Sequence, residues 1–133
     1  MKKKQFDKAR RILAAEQQLH RIEQWKLADI ERRMADLDAQ QVELIGALNE
    51  TNALHGLFID ATARRLSSIA EEAERVGRER DGQALKLKAH GTRVKMCERL
   101  ALDRQLEFKR EKEGKVLLDV VEQFVGRKRT SLP

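Results

Sequence analysis

The sequence predicts an all-α fold, an antiparallel two-helix coiled-coil hairpin with a longer second helix. Among the 133 residues the only proline is Pro133, charged residues make up 38%, and aromatic residues make up only 4%. So few bulky side chains cannot build a layered core, whereas Ala, Leu, Glu, Lys, Arg and Gln are typical of long helices. Apolar residues also recur in steps of three and four, as in coiled coils. We therefore expect one α-helical domain spanning residues 1–133.

The first helix is predicted from about residue 5 to 48. Its apolar stripe shifts near Lys26, where successive steps of four replace the strict heptad and should relax the supercoil locally. The residues of this stripe are Ile12, Ala15, Leu19, Ile22, Ile30, Met34, Leu37, Gln41, Leu44 and Leu48.

The turn is predicted within residues 49–60, which contain the stretch "NETNALHG". One possibility is that Asn49 adopts the left-handed conformation and Thr51 or Asn52 caps the next helix. The other is a reversal at Gly56 with Asp60 as the cap. Short connections are usual between antiparallel helices, so a hairpin is favoured over one continuous rod.

The second helix is predicted from about residue 60 to 125. Its stripe comprises Leu66, Ile69, Ala73, Val76, Arg80, Gln83, Leu87, His90, Val94, Cys97 and Ala101. Three polar members and nearby glycines should make its middle pack loosely, because each Gly costs a helix roughly 1 kcal/mol relative to Ala. Beyond Leu100 the stripe is expected to drift to Leu102, Leu106, Leu117, Val120 and Phe124, and the helix to end near Gly126.

The arms of this hairpin are unequal in length. If the chain reverses at about residue 51, the start of helix one lies opposite Cys97. If it reverses nearer 57, the start of helix one lies opposite about residue 108. Either leaves about 20 to 30 C-terminal residues, roughly 30 to 45 Å of helix, without an internal neighbour. This overhang includes the apolar residues Leu117, Leu118, Val120, Val121 and Phe124. A lone amphipathic helix is marginal in water, so a partner or a second copy is expected to cover it.

No residue pattern indicates catalysis, a cofactor or a metal site. The histidines His20, His55 and His90 lie far apart, and no glycine-rich phosphate loop or Cys-x-x-Cys pair is present. The single cysteine, Cys97, cannot form an internal disulfide, and a small buried thiol is its expected role. No apolar run approaches the roughly 20 residues of a membrane span. We expect a cytosolic, non-enzymatic protein without membrane insertion.

The charge is unevenly distributed along the chain. Residues 1–11 carry six basic and one acidic side chain, residues 93–133 carry eleven and seven, and residues 12–92 carry eleven and fourteen. Basic ends suit a partner with an acidic protein surface or a nucleic acid. The basic start has no base-reading side chain, so we expect solvated termini and no nucleic-acid partner. Trp25 and Phe6 are expected to brace the hairpin rather than to stack on bases.

Two stretches carry a resemblance to a known family: "FDKARRILAAEQQLHRIEQWKLADIERRMADLDAQ" and "CERLALDRQLEFKREKEGKVLLDVVEQFVGRK". They resemble the opening and closing segments of the FliJ family, which with its YscO relatives serves flagellar and virulence type III export systems. The likeness includes the length, the early Ala-Arg-Arg-rich helix, the short mid-chain break and the late "ERL" pattern before a basic end. The second stretch is the more specific.

The resemblance implies an antiparallel coiled coil similar to the central stalk of rotary ATPases. Its implied partners are the hexameric export ATPase, the membrane export gate and, for some members, export chaperones. The end bearing the termini would face the ATPase ring, with Arg99, Arg104, Lys109, Arg110 and Lys112, and the apolar overhang suits insertion into a ring. The hairpin half would face the gate. The family's aromatic gate contacts have no clear equivalents here beyond Phe58, with Leu44, Leu54 and Leu57 as candidate substitutes.

Two other functions are consistent with the residues alone. In one, the chain is a structural homodimer in which two copies cover each other's overhang. In the other, it is a basic coiled coil that binds nucleic acid, with an affinity that falls steeply as salt is added.

Overall fold

The structure, a computed structural model, describes residues 1–50 and 56–130. These residues form two helices, α1 (Lys2–Glu50) and α2 (Gly56–Thr130), which pack against each other. Residues late in α1 meet residues early in α2: Arg33 pairs with Glu79, whereas Lys2 pairs with Glu107. The predicted all-α fold, an antiparallel pair with a longer second helix, is confirmed.

Both helices are longer than predicted. Asn49 lies inside α1 and Asp60 inside α2, so neither ends or caps a helix as expected, and α2 continues through Gly126. Among the described residues none has a positive φ, which excludes the left-handed helix end expected at Asn49. The physical reason is that Asn, Asp and Gly each cost a helix no more than about 1 kcal/mol relative to Ala, and no proline lies in either helix to interrupt it. The other expected caps, Thr51 and Asn52, lie outside the described residues.

The chain divides into two compact units, a middle unit of residues 19–91 and a terminal unit of residues 1–18 and 92–133. The core of the middle unit consists of Ile30, Leu37, Ile69 and Val76. Met34, Leu44 and Ala73 pack against it. All seven belong to the predicted stripes, so apolar periodicity located this core correctly.

The middle unit also contains a polar pair at its seam. Gln83, 8% exposed, donates its amide N–H groups to the backbone carbonyl of Glu23 at 3.1 Å and to the Glu23 carboxylate. The Gln83 hydrogen bond, followed by the Lys26 ammonium, lowers the pKa of Glu23. Because a buried amide without partners is costly, these bonds explain why a polar residue is tolerated in the seam.

The terminal unit combines small and aromatic residues. Ala9 and Ala101 are its buried apolar residues. The rings of Phe6 and Phe108 meet edge to face with centroids 6.0 Å apart, and the Arg10 guanidinium lies 5.4 Å from the Phe6 centroid. Phe6 therefore braces the two helices as expected.

The seam of α2 follows the predicted stripe except at Arg80, which is exposed, whereas the seam of α1 follows its predicted stripe only from Ile30 onward. Along all of α1, buried or half-buried residues recur in an unbroken heptad, so the slip predicted near Lys26 is wrong. Its first half consists of Phe6, Ala9, Leu13, Glu16, His20, Glu23 and Leu27. In this half, each residue of the expected stripe precedes a residue of the observed seam by one position. Of these expected residues, Ile12, Ala15 and Leu19 are exposed. Along α2 the heptad likewise continues to Arg104, Phe108 and Glu111, leaving Leu102 and Leu106 exposed.

Continuity of the heptad explains this outcome. A shift of one residue would rotate α1 by about 100° and would disrupt the packing of Ile30 and Leu37 downstream. The hydrogen bonds of Gln83 also satisfy the polar side chain of Glu23 in the observed register. In the observed register Trp25 points outward and is 67% exposed, so the expectation that Trp25 braces the hairpin is wrong.

Candidate partner-binding surface

The C-terminal part of α2 presents its apolar residues to solvent. Every side chain from residue 112 to 127 is exposed. We define the C-terminal surface as the large apolar residues Val116, Leu117, Leu118, Val120, Val121, Phe124 and Val125. An exposed apolar group of this size on a helix is characteristic of a binding site.

The extent of α1 accounts for this exposure. At its first residues, Lys2 Nζ lies 3.5 Å from Glu107 Oε2, and Phe6 packs on Phe108. The structure therefore agrees with the second predicted alignment, in which the start of helix one lies opposite about residue 108. The part of α2 from residue 113 to 130 is roughly 27 Å long at 1.5 Å per residue.

The C-terminal surface covers more than one side of the helix. At 100° per residue its seven members span roughly 200° of the circumference. Lys115, Asp119 and Glu122 occupy the remaining side. The apolar stripe of an ordinary surface helix is about 100° wide, so this helix has the pattern of one enclosed on several sides.

The C-terminal surface is not a simple continuation of the seam. Beyond Glu111, the next heptad positions of the α2 seam are Lys115, Leu118, Glu122 and Val125. Charged and apolar residues therefore alternate along the continued seam. The centre of the apolar arc instead points outward, toward the side of α2 on which Leu102 and Leu106 are exposed. A longer α1 would therefore leave much of the C-terminal surface uncovered.

The basic residues expected at this surface occupy different positions. Arg99, Lys109, Arg110 and Lys112 are exposed, and Lys109 and Lys112 line a shallow depression with Val116, Leu117 and Val120. Arg104 is instead half-buried at a seam position. Its guanidinium donates to Glu107 Oε2 at 3.1 Å.

A charged cluster of three residues was not foreseen from the sequence. The Glu107 carboxylate accepts hydrogen bonds from the Arg104 guanidinium and from Lys2 Nζ, which lies 3.5 Å away. These two cations lower the pKa of the Glu107 carboxyl, and Arg104 has the larger effect. Lys2 and Glu107 lie far apart in the chain, so only the helix alignment reveals the pair. The cluster helps hold the start of α1 beside α2.

The residues expected to meet an export gate occupy separate environments. Leu44 packs against the core of the middle unit, whereas Phe58 is exposed at the start of α2. Leu54 lies outside the described residues. Leu57 belongs to α2, and its side chain lies outside the described part of the structure.

Within residues 1–50 and 56–130, no group of three His, Cys, Asp or Glu side chains is arranged to hold a metal ion. Neither helix, over the same residues, has an apolar stretch that could cross a membrane. Cys97 is half-buried at its expected seam position. No family model matches the chain, and no curated protein or solved structure was found to be similar to it.

Proposed function

We propose that this chain is a non-enzymatic component of a flagellar-type, or type III, protein export apparatus. Its projecting C-terminal helix binds the hexameric export ATPase in the manner of a rotary-ATPase stalk. The resemblance of its two terminal stretches to the FliJ and YscO families suggests the system. The observation that carries the binding role is the exposed apolar arc of residues 116–125.

The width of that arc favours a partner that surrounds the helix. In a two-stranded coil, one neighbouring helix covers a narrow seam of a and d positions. A second chain paired along this segment would leave part of a 200° arc in water, whereas the interior of a ring contacts a central helix from several sides. The exposed basic side chains of Arg99, Lys109, Arg110 and Lys112 suit an acidic rim around such an opening.

The remaining assignments follow from the resemblance. The hairpin half would contact the export gate, with Phe58 as its exposed aromatic residue, and export chaperones are further candidate partners. The protein would act in the cytoplasm, at the periphery of the membrane-embedded apparatus. It would promote assembly or turnover of the ATPase ring rather than catalyse a reaction itself.

Binding to the purified export ATPase tests the proposal. In the full chain, Leu117→Asp should weaken binding at least about 30-fold, because a charge at a buried anchor costs about 2 kcal/mol or more. Leu85→Asp is the matched control, since the chemical change is the same and Leu85 is 71% exposed against 66% for Leu117. Leu85 lies on α2 outside the C-terminal surface and away from its basic residues, so its substitution should leave binding unchanged.

Truncation after Gly114 provides a second test. It should abolish ATPase binding while the remaining chain stays helical by circular dichroism, because the removed segment makes no contribution to the core of the middle unit. Unchanged binding after truncation, or equal loss in the Leu117→Asp and Leu85→Asp variants, refutes the proposal.

A further inference from the structure

The outer side of α1 carries the only tryptophan of the chain. Trp25 is 67% exposed and lies between the seam residues Glu23 and Leu27, on the opposite side of the helix. Its ring can bury a large apolar area, and its indole N–H adds a polar group at the edge of the same surface. Exposed tryptophans are also among the commonest anchors of protein interfaces.

The residues around Trp25 are arranged symmetrically in the sequence. Arg21 precedes it by four residues and Asp29 follows it by four, so the three side chains share one face of α1. Ile22 and Ala28 lie three residues to either side of Trp25. Arg21, Ala28 and Asp29 are exposed, and Ile22 is half-buried.

We propose that two copies of this chain associate through this face of α1, antiparallel, with a twofold axis at Trp25. In that arrangement Arg21 of each copy meets Asp29 of the other, which creates two equivalent ion pairs. The two Trp25 rings stack at the axis. Ile22 of each copy packs over Ala28 of the other, where the small side chain leaves room for the isoleucine.

Self-complementarity makes a second copy the occupant of this face. A twofold interface requires one patch to match itself, so that residue i meets residue j and j meets i. The face around Trp25 meets this condition in charge and in size. A parallel arrangement would instead place Arg21 against Arg21 and Asp29 against Asp29, which is repulsive.

The existing contacts of Asp29 are compatible with this role. Its carboxylate lies 3.9 Å from Arg33 Nε on the same helix, and both side chains are about half or more exposed. An exposed carboxylate has enough acceptor sites for a second guanidinium. The association shares no residue with the C-terminal surface and does not depend on the proposed export role.

A contact confined to residues 21–29, about two and a half helical turns, is small. Interfaces below about 1,200 Å² are generally those of transient complexes. The dimer should therefore form reversibly as concentration rises, and light scattering of the full chain from about 10 µM to 1 mM covers the range of a weak complex. We expect the mass to rise from one chain toward two.

Tryptophan emission reports on the same event at the proposed contact. Because the chain contains one Trp and no Tyr, its emission comes from Trp25. Burial of the two rings should shift the emission to shorter wavelength over the concentrations at which the mass rises. A constant emission across that transition overturns the proposed interface.

Charge reversal tests the pairing directly. Arg21→Asp and Asp29→Arg, made singly, should each raise the dissociation constant at least about tenfold, because attraction becomes repulsion at two places. The double variant should restore dimerisation to within about threefold of the original, since each swapped pair is again opposite in charge. Circular dichroism would verify that every variant remains helical.

An exposed arginine on the other helix provides a matched control. Arg78 of α2 pairs with Glu74 at 3.9 Å, and Arg78→Asp should leave dimerisation unchanged. A monomer at every concentration overturns the proposal. So does a double charge reversal that fails to restore the dimer, or an Arg78→Asp variant as defective as Arg21→Asp.

Discussion

Two leucine-to-alanine substitutions should separate residues that stabilise the fold from residues kept for binding. Leu37 belongs to the core of the middle unit and is 7% exposed, whereas Leu117 on the C-terminal surface is 66% exposed. The chemical change is identical at both sites. Only the environment differs, so a comparison of the two variants isolates the contribution of burial.

The expected magnitudes follow from burial. At Leu37 the lost methyl and methylene groups are each worth about 0.8 kcal/mol, and the cavity adds to this, giving about 3 kcal/mol within the usual range of about 2 to 5. At Leu117 most of the side chain already contacts water. Alanine is also the better helix former, so the net change there should stay within about 0.5 kcal/mol.

Urea denaturation followed by circular dichroism measures both free energies of unfolding. For a slope of about 1.5 to 2 kcal/mol per M, the Leu37→Ala midpoint should fall by about 1.5 to 2 M. The Leu117→Ala midpoint should move by less than about 0.3 M. Equal shifts would mean that the chain itself buries Leu117, and the case for an uncovered C-terminal surface would fail.

Three further outcomes follow from individual contacts. Gly82→Ala should stabilise the chain by about 0.5 to 1 kcal/mol in the same denaturation assay, because an added Cβ meets nothing within 4 Å and alanine favours the helix. A double-mutant cycle of Phe6→Leu and Phe108→Leu should give a coupling energy of about 0.5 to 1.5 kcal/mol; a value near zero would contradict the edge-to-face contact. Hydrogen bonds to Glu23 and Glu107 hold the pKa of each carboxyl below its ordinary value of 4.5. The stability that these lowered pKa values contribute should therefore be complete above about pH 4.5 and be lost as the pH falls through the pKa values of the folded state. In thermal melts, acidification should lower the melting temperature of Glu107→Gln less than that of the unchanged chain.

The fold was predictable because its signal is periodic and local. Absence of internal proline and the steps of three and four specified two long helices, and the α2 seam from Leu66 to Ala101 agrees with the expected stripe at every position but Arg80, which is exposed. The first half of the α1 seam was not predictable from hydrophobicity. There the more apolar set, including Ile12 and Leu19, lies beside a seam that contains His20 and Glu23.

The candidate surface was predictable in part. The sequence indicated apolar residues beyond the reach of helix one, because arm lengths can be estimated from a turn and a rise per residue. It did not indicate that Arg104 would pair with Glu107 in the seam, or that Trp25 would point outward. Both depend on the rotation of each helix, which is fixed by contacts between residues far apart in the chain.

The distribution of polar and apolar residues in this chain reverses the usual one at two places. In the middle unit, seam positions hold Glu23 and Gln83, which must be satisfied by hydrogen bonds, while Trp25 stands outside. In the terminal unit, large aliphatic residues such as Leu117 and Val120 face water. Apolar side chains stabilise a fold only where they are removed from water, so these residues lower solubility without strengthening the hairpin. Such an arrangement favours association over the stability of the isolated chain, and it is the physical basis for expecting more than one binding surface on this protein.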